Sequence, residues 1–370
     1  DWSLGVAKRL PWQQTLEVAY VGSRSDHLPN GTRGDYIEPG TMSGPLGNAD
    51  LDNPLHRAAL DEGVAAGLRT FPAYSSVVWV QYEAWSDYHA LQATLSRWAG
   101  TRFQYFLAYT FGKTRGIYGD DRAWIDPIDP EGRSTGVTPQ DRRHIFNASW
   151  NWMVPNPIRP DGSVLLRSLL NGWQLSGITS YASGLPYRLE FTGALSEPAM
   201  QRAWWGTDAH EFGAWDVSGP TAPTFEADPR LDGTEVGERI LDVDLIGIPA
   251  LGTSGPFQPP YDFRAPTRWN WDLSVMKNFR FADGKRLQLR AGIFNLFNQA
   301  VPNLGDIDLD LRTECNVRVN GVPNGAGGYS DYVCDPSQGF HFTELTRENF
   351  GKIITKRGRR IIELAARFDF

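Results

Sequence analysis

Cys315 and Cys334 are the only cysteines in the chain of 370 residues, and both fall in one stretch rich in Gly, Asn and Asp. Two thiols with no histidine pair beside them lack the donors of a tetrahedral zinc site. On an exposed, oxidising loop they would form a disulfide, the alternative being two free thiols. Closing residues 316–333 in this way would stabilise the loop by roughly 3 kcal/mol. Asp306, Asp308 and Asp310 alternate in the same stretch, and Asp120, Asp121, Asp126 and Asp129 cluster in another. Such carboxylates are weak candidates for Ca²⁺, but the glycine and terminal glutamate of an EF-hand loop are missing, and solvated loop charge is the competing reading. Trp124, Trp204, Trp205 and Trp215 could bind a ligand by stacking on sugar rings or peptide side chains; alternatively they pack the loops together. His210-Glu211 lacks the second histidine of a zinc protease, and neither a P-loop nor a nucleophile elbow occurs. The expectation is a protein without catalytic residues, cofactor or metal.

The elements that hold these residues are strands. Gly 38 and Pro 25 leave few uninterrupted helical windows and describe extended segments joined by irregular turns. The net charge of −7 comes with no basic block, so nucleic acid is not an expected partner. No apolar run reaches the ~18 residues of a transmembrane helix. The chain opens on Asp1-Trp2-Ser3-Leu4 with no signal-peptide pattern, so an exported protein would lack its front end here.

The last segment shows the pattern best. Ile362, Leu364, Ala366, Phe368 and Phe370 fall on one face, and Ile361, Glu363, Ala365, Arg367 and Asp369, mostly charged, on the other, which is the two-residue period of a strand. The same alternation recurs at Trp2–Val6, Leu16–Tyr20 (ending at Gly22-Ser23), Val77–Trp98, Phe103–Phe111, Arg142–Trp152, Trp173–Tyr181, Trp271–Val275 and Leu287–Ile293. The fold class predicted is therefore all-β, an antiparallel transmembrane β-barrel segment of about nine strands. A mean hydropathy of −0.39 does not oppose this, because only alternate residues would meet lipid. Asp272, Arg290, Glu363 and Arg367 should face the lumen, and Trp2, Trp150, Trp152, Trp173 and Trp271 should form interfacial belts. Connections alternate between short ones and long ones near 23–73, 114–140, 192–265 and 298–350, with short helices around His56–Ala66 and Val164–Leu170. Short turns on one side and long extracellular loops on the other suit an outer-membrane barrel. An odd count of nine leaves open edges that are costly in lipid, so residues 1–370 read as the C-terminal part of a larger barrel.

Several stretches resemble the C-terminal barrel of Oar-like TonB-dependent outer-membrane receptors of the carboxypeptidase-regulatory-like type. They are Leu16-Glu17-Val18-Ala19-Tyr20-Val21-Gly22-Ser23-Arg24, Asp87-Tyr88-His89-Ala90-Leu91-Gln92, Ala108-Tyr109-Thr110-Phe111-Gly112-Lys113 and Asp141-Arg142-Arg143-His144-Ile145-Phe146-Asn147. Leu170-Asn171-Gly172-Trp173-Gln174-Leu175-Ser176-Gly177-Ile178, Ser183-Gly184-Leu185-Pro186-Tyr187, Phe294-Asn295-Leu296-Phe297-Asn298 and the terminal Phe370 join them. The resemblance implies a barrel of about 22 strands in the outer membrane of a Gram-negative bacterium. It also implies a plug domain, absent from these residues, that links the barrel to a TonB-type energy transducer. It further implies an unknown large extracellular ligand, and an assembly signal in Phe368 and Phe370 read by the barrel-assembly machinery. The rival expectations are a passive porin or surface adhesin barrel, also with outer-membrane lipid as partner, and a secreted carbohydrate-binding β-protein.

Overall fold

Nine long strands, each hydrogen-bonded to the next in sequence, form one antiparallel meander in the computed structural model. The structure describes residues 1–33, 37, 41, 50–58, 60–74, 77–98, 102–117, 123–124, 132, 134–206, 221–256, 260–281, 285–320 and 332–370. The wall strands are β1 (Trp2–Leu10), β2 (Gln14–Arg33), β3 (Val78–Arg97), β4 (Phe103–Ile117), β5 (His144–Met153), β6 (Trp173–Ala182), β7 (Arg268–Arg280), β8 (Arg286–Phe294) and β9 (Ile361–Asp369). β1 and β9 are the outer edges of the sheet and do not pair with each other among the described residues.

Register decides which side chains share a face, since a slip of one residue would move a strand's whole apolar set to the other side. Leu4 lies opposite Tyr20, Tyr20 opposite Leu91, and Leu91 opposite Phe111. Farther along, Phe146 meets Tyr181, Tyr181 meets Trp269, Val275 meets Ala291, and Ala291 meets Leu364. Most apolar positions of the nine strands thus fall on one face, with Ile145, Met276, Phe294 and Ile361 among those on the other. Leu4, Leu289, Leu364 and Phe368 are exposed on the first, and among the described residues no second protein layer encloses them. The other face is polar. Along it Gln174 Nε2 donates to Asn151 Oδ1 (2.8 Å), Gln288 Nε2 to Asn278 Oδ1 (2.9 Å) and Arg290 Nε to Ser274 Oγ (3.0 Å). Phe106 and Ile178 are apolar exceptions on this face.

Aromatic side chains mark both ends of the apolar face. Trp2, Phe111, Trp269 and Trp271 stand at the end of the long connections; Trp12, Phe103, Trp152, Trp173 and Phe368 stand at the end of the short turns. Trp150 sits one pair inward and lies over Gly177, where a Cβ would come within 2.6 Å of its ring. The 10 residues of β5 at about 3.3 Å each, tilted by about 40°, span about 25 Å, the height of a hydrocarbon band.

Four expectations need correction. The second strand does not stop at Gly22-Ser23: β2 continues to Arg33, paired with β3 through register shifts between Ser25 and Asn30. Its distal part has no clean alternation, consistent with water on both sides. Likewise β4 runs to Ile117 and pairs with Thr135–Val137, inside the stretch read as a loop, and the helix near His56 is two helices, Pro54–Ala58 and Glu62–Leu68, the second capped by Asp61. The largest correction concerns the described parts of 183–267 and 295–360, which are not open loops. They share a hydrophobic core that includes Leu189, Phe191, Leu195, Trp204, Leu241, Phe263, Ile307, Leu311, Phe350 and Ile353. Asp310–Cys315 joins them, pairing in parallel with Glu190–Gly193 and antiparallel with Phe340–Phe342. The Val164–Leu170 helix forms as the sequence predicts.

Candidate functional site at the loop end

Two of the quoted motifs meet where the co-folded loops rest on the wall. His144 N donates to Ser183 Oγ (3.0 Å), Ser183 N donates to His144 O (2.9 Å), and Arg142 Nη1 donates to Ser183 O (2.7 Å). Asp141 lies beneath this junction, 1% exposed, and accepts from Thr114 N (2.6 Å) and Arg264 Nη2 (2.7 Å). Arg264 also donates from Nε to Asp262 (3.0 Å) and from Nη1 to the carbonyl of Gly184 (3.2 Å). Desolvation lowers the Arg264 pKa, but its two carboxylate partners outweigh that and raise it above the ordinary arginine value. The guanidinium therefore stays charged. Gly184 is required by close approach, since a Cβ there would stand 1.6 Å from Ala265 O. Neither Asp262 nor Arg264 was singled out by sequence; a short Asp-x-Arg spacing far from the motifs it joins carries no local signal.

The predicted site residues that are described have these places. Asp272, Arg290, Glu363 and Arg367 share the polar face, opposite Ile178, Met276, Gly292 and Gln288 respectively. Asp272 Oδ1 accepts from Asn270 Nδ2 and Asn295 N, and Arg367 Nε donates to Asp369 Oδ1 (2.8 Å). Cys315 and Cys334 are joined as a disulfide, Cα–Cα 5.6 Å, packed with Met200 and Ala203. Phe368 and Phe370 stack at 6.1 Å on the apolar side, with Phe370 98% exposed.

Of the two expectations for the tryptophans, Trp204 and Trp205 follow the packing one. Trp204 and Trp205 are 2% and 7% exposed, so neither offers a ring face to a sugar or peptide. They cement the loops instead: Trp204 packs on Phe340 and donates from Nε1 to Thr253 O (2.8 Å). The physical reason is burial, which the run Pro198–Trp205 achieves by folding as a helix against the shared core. Trp215, the Trp124 side chain and Asp120, Asp121, Asp126 and Asp129 lie outside the described residues. Asp306, Asp308 and Asp310 are engaged by arginines: Arg357 pairs with Asp306 (2.8 Å), and Arg312 with Asp308 (3.0 Å) and Asp310 (2.8 Å). Among the described residues no group of three or more metal-ligating side chains gathers.

The histidines on the wall serve packing. His89 hydrogen-bonds the Tyr20 hydroxyl (2.6 Å) and His144 the Tyr109 hydroxyl (2.8 Å), two equivalent pairs on the apolar face near the loop end. Within the loop assembly, a cleft of about 540 Å³ is lined by Tyr187, Arg188, Glu190, Asp308, Asp310 and Arg312. Its mixed charge suits a polar guest rather than a lipid chain.

A meander with one apolar and one polar face, ringed by aromatics and carrying its insertions at one end, defines a membrane-spanning β-sheet protein. The family model for an outer membrane beta barrel domain matches residues 1–361, and the chain belongs to that family. Its place is the outer membrane of Gram-negative bacteria. No curated protein matches the chain.

Proposed function

We propose that this chain forms part of the barrel of a TonB-dependent outer-membrane receptor that takes up a large extracellular ligand by active transport. The observation that carries the reading is the asymmetry of the connections. One end of the sheet is closed by tight turns such as Pro11–Gln13, while the other bears two long insertions folded around a common core with a polar cleft. A passive pore has no need of a cored domain of this kind, whereas selective capture of a large solute does. The reading assigns the open edges at β1 and β9 to further strands of the same protein, because unpaired backbone in lipid is costly. It assigns energy coupling to a plug region outside residues 1–370. Phe368 and Phe370 would act as the assembly signal, and no catalysis is proposed.

Planar-bilayer conductance of the whole protein, extracted from its native outer membrane, tests the reading. A plugged receptor stays electrically silent until mild denaturant loosens the plug. Steady channel steps without any treatment would identify a passive porin instead and refute the proposal.

A further inference from the structure

The connection from β5 to β6 carries the Val164–Leu170 helix, whose sequence Val-Leu-Leu-Arg-Ser-Leu-Leu holds five apolar residues, all exposed and none buried. A two-turn helix this apolar on a water-facing surface is a liability, and its position shows what covers it. Lys277 gives that position. It lies on β7 opposite Trp173 and Leu289, hence on the apolar face of the wall, yet it is only 6% exposed. Its Nζ donates to Leu169 O (3.0 Å) and to Asn171 O, the carbonyls at the C-terminal end of the helix, where the backbone dipole favours a cation. The rings of Trp173 and Phe279 flank the ammonium at 4.9 and 5.2 Å. Trp173 Nε1 donates to the same Leu169 carbonyl (2.9 Å), and Asn278 N donates to Gly172 O (2.9 Å). The helix is therefore fastened to the lipid-facing side of the sheet, at the level of the short-turn aromatic belt.

We propose that the Val164–Leu170 helix is an interfacial anchor that lies in the phospholipid leaflet at the short-turn end, with Lys277 as the positioning residue that holds it against the wall. The occupant follows from continuity: the exposed leucines extend the apolar band that Trp152, Trp173 and Leu289 already present to hydrocarbon. A charged lysine in that band would be costly alone; spent on helix carbonyls and ring faces, it is satisfied. Arg167 and Ser168 are the two polar residues of the helix, and Arg167 Nη1 donates to the Pro160 carbonyl, so its charge does not interrupt the exposed leucines. The inference rests on the membrane placement of the sheet and not on energy-coupled uptake.

The test is spin-label depth measurement on the whole protein reconstituted into phosphatidylethanolamine–phosphatidylglycerol vesicles. Labels are placed at Leu165→Cys and Leu169→Cys, with Leu364→Cys as lipid reference and Arg159→Cys as aqueous reference. The ratio of oxygen to nickel-chelate collision rates at the two helix sites is expected to lie below that at 364, which is mid-span, and to exceed that at 159 severalfold. A ratio equal to that at 159 places the helix in water, and low collision with both reagents places it under a protein partner; either overturns the proposal. With Lys277→Met, the label at 169 should gain mobility while that at 364 does not. Unchanged mobility at 169 would remove the role given to Lys277.

Discussion

Replacing Arg264 by alanine should open the loop assembly while leaving the wall intact. The carboxylate of Asp141 is 1% exposed and has two side-chain hydrogen bonds, from Thr114 N and from Arg264 Nη2. Without Arg264 the carboxylate is left in a dry place with one donor, a situation that costs about 3–5 kcal/mol. Asp141→Ala should cost less, because Arg264 still has Asp262 at 3.0 Å and the Gly184 carbonyl. The double variant should then be milder than the sum of the two, with a coupling of about 2 kcal/mol between neighbours that share one contact. Arg264→Lys should not restore the wild type, since one ammonium cannot serve two carboxylates and a carbonyl in a plane. Native-state proteolysis of the loop assembly reads this opening: 3 kcal/mol corresponds to about 150-fold faster cleavage when closing is fast. The wall should stay resistant and keep its compact mobility in unheated gels. Additive single effects, or equal rates for Arg264→Ala and wild type, would refute the reasoning that this pair locks the loops to the strands.

Leu273→Arg should cost about 2–4 kcal/mol in lipid while Ser180→Arg, on the polar face of β6, should be nearly neutral, as denaturant titration in vesicles can check. Arg357, by hydrogen bonding, and then the Asn303 N–H hold the Asp306 pKa below the ordinary carboxylate value. That stabilisation is complete above the unfolded value and is lost as the pH falls through the lower folded one, so the loop assembly should loosen only below about pH 4. Asp306→Asn should flatten this acid limb, measured as protease sensitivity against pH. Reducing the Cys315–Cys334 bridge should destabilise the loop assembly by roughly 3 kcal/mol, seen as a lower midpoint for loop proteolysis in denaturant with the wall unaffected. Phe370→Ala should slow assembly in cells, detected as unfolded chain in unheated gels, without lowering the unfolding midpoint of molecules already assembled, since the ring is 98% exposed.

Alternation along each strand is a local property, so the chain itself announces which of its residues share a face within Ile361–Asp369 or Phe103–Phe111. Tight turns and the helix at Val164–Leu170 are local too, and they are legible for the same reason. The placement of Asp272, Arg290, Glu363 and Arg367 on the polar face follows from that alternation once the strands are in register. Register is the step that no single segment contains: that Leu91 meets Tyr20 on one side and Phe111 on the other is decided by packing all strands on one face. The loop assembly is further from reach. Its core joins residues contributed by two connections separated by β7 and β8, and Arg264 finds Asp141 across 123 positions of sequence. For Trp204 ligand stacking and loop packing both stay open in the sequence until Phe340 is known to lie against it. Periodicity reports what neighbours in sequence share, whereas burial and ion pairing depend on which distant groups the folded chain brings within a few ångströms, and only the tertiary structure fixes that.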